Sequence, residues 1–178
     1  MVVVVDPAAA KSTPLVLASA RPCTVRLPRG ATALLMIDLQ RDFLDPGGFG
    51  AALGNDVQAC RSILPACAAV LASARAAGLP VVHTLESHKP DLSDCPPSKG
   101  SGPRAPTAGR RIGDVIDPAM GRVLVRGEPG NATVEEVAPL PSERVVHKPG
   151  KGAFFGTGLH SWLQGPNSIE TRRKRVSD

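Results

Sequence analysis

The hydrophobic pattern of the chain alternates between short continuous apolar runs and longer stretches with helical spacing. From Ala31 the chain enters the run ALLMID, residues 33–38, after the turn Pro28-Arg29-Gly30. Five apolar residues in a row predict a strand buried on both faces of a parallel sheet, with Asp38 at its carboxyl end. After a Pro-Gly-Gly turn at 46–48, apolar residues at Cys60, Ile63, Leu64, Cys67, Leu71 and Ala74 fall on one helical face. They predict a helix that Asn55 or Asp56 caps and Gly78 ends. LPVVHTL, residues 79–85, predicts a second buried strand and so a strand-helix-strand unit with a right-handed crossover. Residues 89–111, rich in Pro, Gly, Ser and cations, predict a long loop. Short strands are expected at 123–125 and 145–147, the second opening into KPGKGAFFGTG before a helix from about Leu159. The class is therefore α/β, with ligand chemistry expected at the carboxyl ends of the strands. The expected organisation is a flexible N-terminal extension at 1–29, one domain at 30–163, and a basic tail at 164–178 where apolar periodicity stops.

Composition sharpens this picture only in places. A chain of 178 residues holds one domain that can bury about two thirds of its unfolded surface. Gly and Pro number 18 each, about a fifth of the chain together, which predicts long irregular stretches. With four Phe, one Trp and no Tyr, stacking platforms for single-stranded nucleic acid are scarce, and no nucleic-acid partner is expected. The net charge of +5 is partly local, because Arg172, Arg173, Lys174 and Arg175 set against Glu170 and Asp178 give the tail +2 and leave +3 elsewhere. Wholly apolar stretches fall short of the roughly eighteen residues that span a bilayer, so no membrane span is expected. The four cysteines, Cys23, Cys60, Cys67 and Cys95, have no metal-site spacing and read as reduced thiols. The cytoplasm is the expected compartment. An Ala- and Ser-rich, acid-poor start that weakly suits an organelle transit peptide is the alternative.

Among residues able to carry chemistry, Asp38 stands out, because a carboxylate following five apolar residues is costly to desolvate unless paired or employed. A strand-end Asp capping the next turn is the plainer alternative. Lys148 occupies the matching place after another strand, so the two could meet at one sheet edge and set each other's proton affinity. His83 reads as a core or interface histidine. His88, opening the long loop, either orients a substrate or holds the loop. His147 and His160 lack partners at metal-ligand spacing, so no metal and no other cofactor is expected. Gly150-Lys151-Gly152 lacks the first glycine and the hydroxyl residue of a phosphate loop. Cys60 and Cys67, seven apart on the helix, read as core residues.

Four segments then occur in order: ALLMIDLQRDFLDPGGFG, VVHTLESHKPDLSDCP, GRVLVRGEPG and VVHKPGKGAFFGTGL. Together they resemble the isochorismatase-like cysteine hydrolases over residues 32–163, especially the branch of biuret, N-carbamoylsarcosine and ureidoacrylate amidohydrolases. The resemblance implies a three-layer α/β/α fold and an Asp-Lys-Cys triad that cleaves a carbon-nitrogen bond of a small amide or ureido compound. Asp38 matches the catalytic Asp and Lys148 the catalytic Lys, while Phe43, His88 and Lys151 fall where substrate-binding residues are plausible. The family nucleophile lies in a later segment like GVTTDVCV, which has no counterpart here, so a C-terminally truncated domain is expected. Two readings follow from that: an amidohydrolase whose chain here retains only Asp and Lys, or an inactive isoform serving as a binding or regulatory subunit. A homo-oligomer is implied for a full-length form.

Overall fold

A computed structural model describes residues 2–5, 14–18, 21–100 and 111–164. The continuous apolar runs form the centre of the sheet. In chain order the strands are β1 (Val2–Val5), β2 (Leu15–Leu17), β3 (Val25–Leu27), β4 (Thr32–Ile37), β5 (Val81–Glu86) and β6 (Arg144–Lys148). The main sheet runs β1-β4-β5-β6, while β2 and β3 pair separately. β4, β5 and β6 are parallel, with Ile37 opposite Thr84 and Glu86 opposite Lys148. β1 lies in the stretch expected to be an extension, yet it pairs antiparallel with β4, Val2 opposite Leu35.

The helices are α1 (Arg41–Leu44), α2 (Phe49–Ala52), α3 (Val57–Arg61), α4 (Leu64–Ala76), α5 (Pro97–Gly100) and α6 (Leu159–Gln164). One sheet face, through Leu34, Met36 and Val81, packs on Leu44 of α1 and on Leu64, Leu71 and Ala74 of α4, with Val134 and Val137 closing the cluster. The other, through Ala33, Leu35, Val82 and Val146, packs on Leu159, Trp162 and Leu163 of α6. Both faces are covered, which is why these strands read as unbroken apolar runs rather than as alternation. Each such fully buried aliphatic side chain contributes about 1.5–3 kcal/mol.

The helix expected after Asp56 exists but is broken. The Asp56 carboxylate caps α3 by accepting from the Ala59 amide at 2.9 Å, and Gly78, at φ +66, ends α4. Between α3 and α4, Pro65 has no N–H to return to the Arg61 carbonyl, so the ladder is interrupted at Ser62 and Ile63. The break turns Cys60 to solvent and leaves Ile63 50% exposed, so neither is the core residue its spacing predicted; Cys67 remains half-buried against the core. By length and composition the stretch Val57–Ala76 is apolar enough to cross a bilayer. Its Leu64, Leu71 and Ala74 are spent on the sheet.

The strand expected at 123–125 is also absent. Those residues form turns in which the Leu124 amide donates to the Asp42 carboxylate and the Val123 amide to the Asp114 carbonyl, leaving only a single bridge of Val125 to His88. Leu124 itself sits at φ +53. The tail from residue 165 and the loop residues 101–110 lie outside the described residues.

Candidate active site

β4 ends in a turn that aims its last charge back across the sheet. Asp38 adopts φ +56, a left-handed conformation that Asp tolerates better than most residues with a Cβ. Thr84 on β5 holds it at two points: its carbonyl accepts the Asp38 amide at 3.0 Å, and its hydroxyl donates to Asp38 Oδ1 at 2.8 Å. Lys148, at the end of β6, reaches over Thr84 to place Nζ 2.7 Å from Asp38 Oδ2. The Lys148 side chain is 1% exposed and that of Asp38 25%, so the ammonium is sealed in and the carboxylate is the accessible member. Lys148 Nζ also donates to the carbonyls of Gly150 at 3.1 Å and Lys151 at 3.2 Å, so all three N–H groups of the ammonium are used. Burial of an ammonium is sustained by this full set of partners.

A side-chain clamp fixes the strand ends that carry the pair. Gln40, fully buried, donates through Nε2 to the carbonyls of Glu86 at 3.0 Å and Asn131 at 3.2 Å and accepts the Glu86 amide on Oε1 at 2.8 Å. Asn131 donates to the Glu86 carbonyl at 2.9 Å and accepts the Ser87 hydroxyl at 2.8 Å. Asp42, one turn further, is pushed up to about 6, chiefly by burial and against the Leu124 amide it accepts. Sequence reasoning singled out none of Thr84, Gln40, Asn131 or Asp42. A polar residue two places after Asp38, still within the buried segment, was the available signal for Gln40.

The remaining expected residues fall in different places. Phe43 is half-buried and packs between the Leu34 cluster and a third cluster of Ile112, Val123 and Leu124. His88 is fully buried, with Nδ1 3.4 Å from Asp94 Oδ1, and its backbone pairs with Leu124 and Arg126. Burial, helped by the charge of Lys99, lowers its proton affinity. Lys151 exposes its side chain and meets the pair only through its carbonyl. His83 is a buried histidine bonded to Glu143 Oε2 at 2.9 Å, the structural role expected for it. His147 is exposed beside the Ser87 hydroxyl, and His160 is exposed and edge-on to Phe154. Among the described residues no three His, Cys, Asp or Glu side chains come together as metal ligands. Cys23 and Cys60 are exposed, and burial raises the Cys95 thiol away from thiolate formation. A cleft of about 600 Å³ lined by Arg41, Asp45, Arg61 and Glu136 lies elsewhere, its arginines already paired with Asp45 and Glu136.

Residues 32–171 match the family model described as the isochorismatase domain. The chain is similar to ureidoacrylate amidohydrolase RutB of Yersinia enterocolitica, 29% identical over 146 residues, which cover 82% of this chain and 63% of that protein. Among solved structures it resembles an isochorismatase family protein from Desulfovibrio vulgaris, with a TM-score of 0.54 and 29% identity, covering 74% of this chain and 60% of that one. In fold alone it also resembles N-carbamoylsarcosine amidase from Thermoplasma acidophilum, with a TM-score of 0.51 and 21% identity over 76% of this chain and 62% of that one. The chain spans less than two thirds of the length of these curated relatives, the ureidoacrylate amidohydrolases it matches.

Proposed function

The chain belongs to the isochorismatase family, and from that premise we propose that Asp38 and Lys148 are the acid-base half of a site that hydrolyses a carbon-nitrogen bond in a small amide or ureido compound. The observation that carries the proposal is the 2.7 Å contact between a sealed ammonium and an accessible carboxylate at the ends of two parallel strands. Such a pair has little structural purpose at a strand end and suits proton transfer.

In this reading a cysteine thiol gives its proton to Asp38, and the Lys148 charge favours the thiolate that results. The thiolate adds to the carbonyl carbon, and the nitrogen leaves as ammonia or amine after taking back the proton. Water, deprotonated by Asp38, then releases the acid and restores the thiol. Lys148 acts through charge rather than direct contact, since its three donors are already engaged. The pair is the half of the triad that the described residues bring together; Cys67 faces the core of α4, Cys95 lies in the loop before α5, and Cys23 and Cys60 face solvent. That placement favours a second reading, a protein that binds such compounds without turning them over.

Ammonia release from biuret and from N-carbamoyl amino acids separates the two. The 178-residue chain is expected to show none. A form carrying a further strand-to-helix turn with a cysteine is expected to show it, and to lose it on Asp38→Asn or Lys148→Met. Turnover that survives both substitutions would remove the pair from the mechanism.

A further inference from the structure

We propose that Glu86 determines substrate specificity at this site, its carboxylate receiving the N–H groups of a ureido compound; the proposal rests on the hydrolase reading above. The register puts Glu86 directly opposite Lys148. Paired residues of neighbouring parallel strands share a face about 4.8 Å apart, and Thr84, two residues earlier on that face, is the residue bonded to Asp38. The Glu86 carboxylate therefore leaves the sheet on the catalytic face, one step further toward the carboxyl end than Thr84.

Lys148 does not neutralise Glu86, because its donors go to Asp38, Gly150 and Lys151. The cation on Glu86 is Lys99 of α5, paired with Oε1. Two carboxylate-ammonium pairs thus start from the carboxyl ends of the paired strands β5 and β6. The Glu86 side chain is 11% exposed and that of Lys99 24%, so the second pair is partly open to solvent.

The backbone of Glu86 is held more firmly than a loop anchor requires. Its amide donates to Gln40 and its carbonyl accepts from both Gln40 and Asn131, all from buried side chains. A carboxylate whose main chain is gripped at three points is pre-oriented, which is the condition for selective recognition. A ureido group presents N–H donors beside a carbonyl, and a fixed carboxylate takes two such donors in parallel while the Lys99 ammonium meets a carbonyl or carboxylate of the same molecule. The competing role, a pin holding α5 over the strand end, calls only for the ion pair itself.

Equilibrium dialysis of the full 178-residue chain against biuret, and against tetramethylurea, which has no N–H, tests the proposal. The wild-type protein is expected to bind biuret in preference to tetramethylurea, and Glu86→Gln to weaken biuret at least about tenfold while leaving tetramethylurea unchanged. Glu86→Asp, which keeps the charge and retracts it, falls between. Circular dichroism and the thermal midpoint of each variant check that the fold is kept. Biuret binding that is lost in Asp38→Asn but unchanged in Glu86→Gln and Glu86→Asp would overturn the role of Glu86 and leave the hydrolase reading standing. Equal weakening by Lys99→Met and Glu86→Gln for both compounds would reduce the pair to a loop pin. A wild-type protein that binds neither compound would overturn the recognition role of Glu86, while the hydrolase reading stands or falls separately on ammonia release by the cysteine-bearing form and its loss in Asp38→Asn.

Discussion

Glu143 and Asp42 are buried carboxylates whose environments push in opposite directions. Burial alone would raise Glu143, but bonds from Arg75, the Leu140 amide and His83, with the Arg75 charge, outweigh it and hold the carboxyl at about 2. Its folded value lies below the ordinary 4.5, so the stability it contributes is complete above pH 4.5 and is lost as pH falls toward 2. Asp42 is the reverse case: raised from 3.8 to about 6, it favours the folded state below pH 3.8, and that contribution disappears as pH rises to 6. Glu143→Gln is therefore expected to destabilise the protein by about 2–3 kcal/mol at pH 7, with the loss vanishing near pH 2. Asp42→Asn is expected to become more stable relative to wild type, by about 2 kcal/mol, between pH 4.5 and 6.5. Denaturant titrations across those intervals read both differences, and a Glu143→Gln deficit that persists unchanged at pH 2 would detach the stability from the carboxylate's charge.

At the scale of elements, β4 was legible because it is a near-continuous apolar run, β5 and β6 because each carries a pair of adjacent valines, Val81-Val82 and Val145-Val146, and α6 because its start follows a glycine-rich turn. Asp38 was legible because a charge ending an apolar run is an anomaly that invites a function, and Lys148 because it occupies the matching place after another strand. What was not legible depends on contacts between distant residues. The turns at 123–125 exist because Asp42, more than eighty positions earlier, takes the Leu124 amide. Thr84 is an ordinary strand threonine until Asp38 folds back on it. The α3 to α4 break was readable from Pro65, but the apolar spacing across it favoured one continuous helix. These local and distant devices differ in what they hold together. Asp56→Ala removes one exposed cap and is expected to cost about 1 kcal/mol. Gln40→Ala leaves the Glu86 amide and the Glu86 and Asn131 carbonyls short of partners in a buried site and is expected to cost several times as much, roughly 2–4 kcal/mol. Chemical denaturation ranks the two, and an equal cost would mean that the β4 and β5 ends do not depend on the amide bridge.

Across the whole molecule, apolar side chains at the surface decide how the chain behaves among its own copies. Phe155 is 81% exposed and Phe154 54%, both in the turn that follows Lys148, and Ile37, immediately before Asp38, is 36% exposed. Among the described residues β6 pairs only with β5, so its outer edge offers unpaired backbone beside that turn. An exposed edge next to exposed aromatics is the arrangement that draws a second surface onto itself. The 178-residue chain is accordingly expected to associate as its concentration rises. Sedimentation velocity over a dilution series measures this, with Phe155→Ser expected to shift the distribution toward the monomer and Val145→Lys, which places a charge on β6, to shift it as well. The two substitutions separate the contributions: a response to Phe155→Ser alone puts the contact at the turn, and a response to Val145→Lys alone puts it at the strand edge. A wild-type protein that stays monomeric at every concentration would show that neither the turn nor the edge is sticky enough to associate, and the apolar surface around Asp38 would then be open to a ligand rather than to another copy.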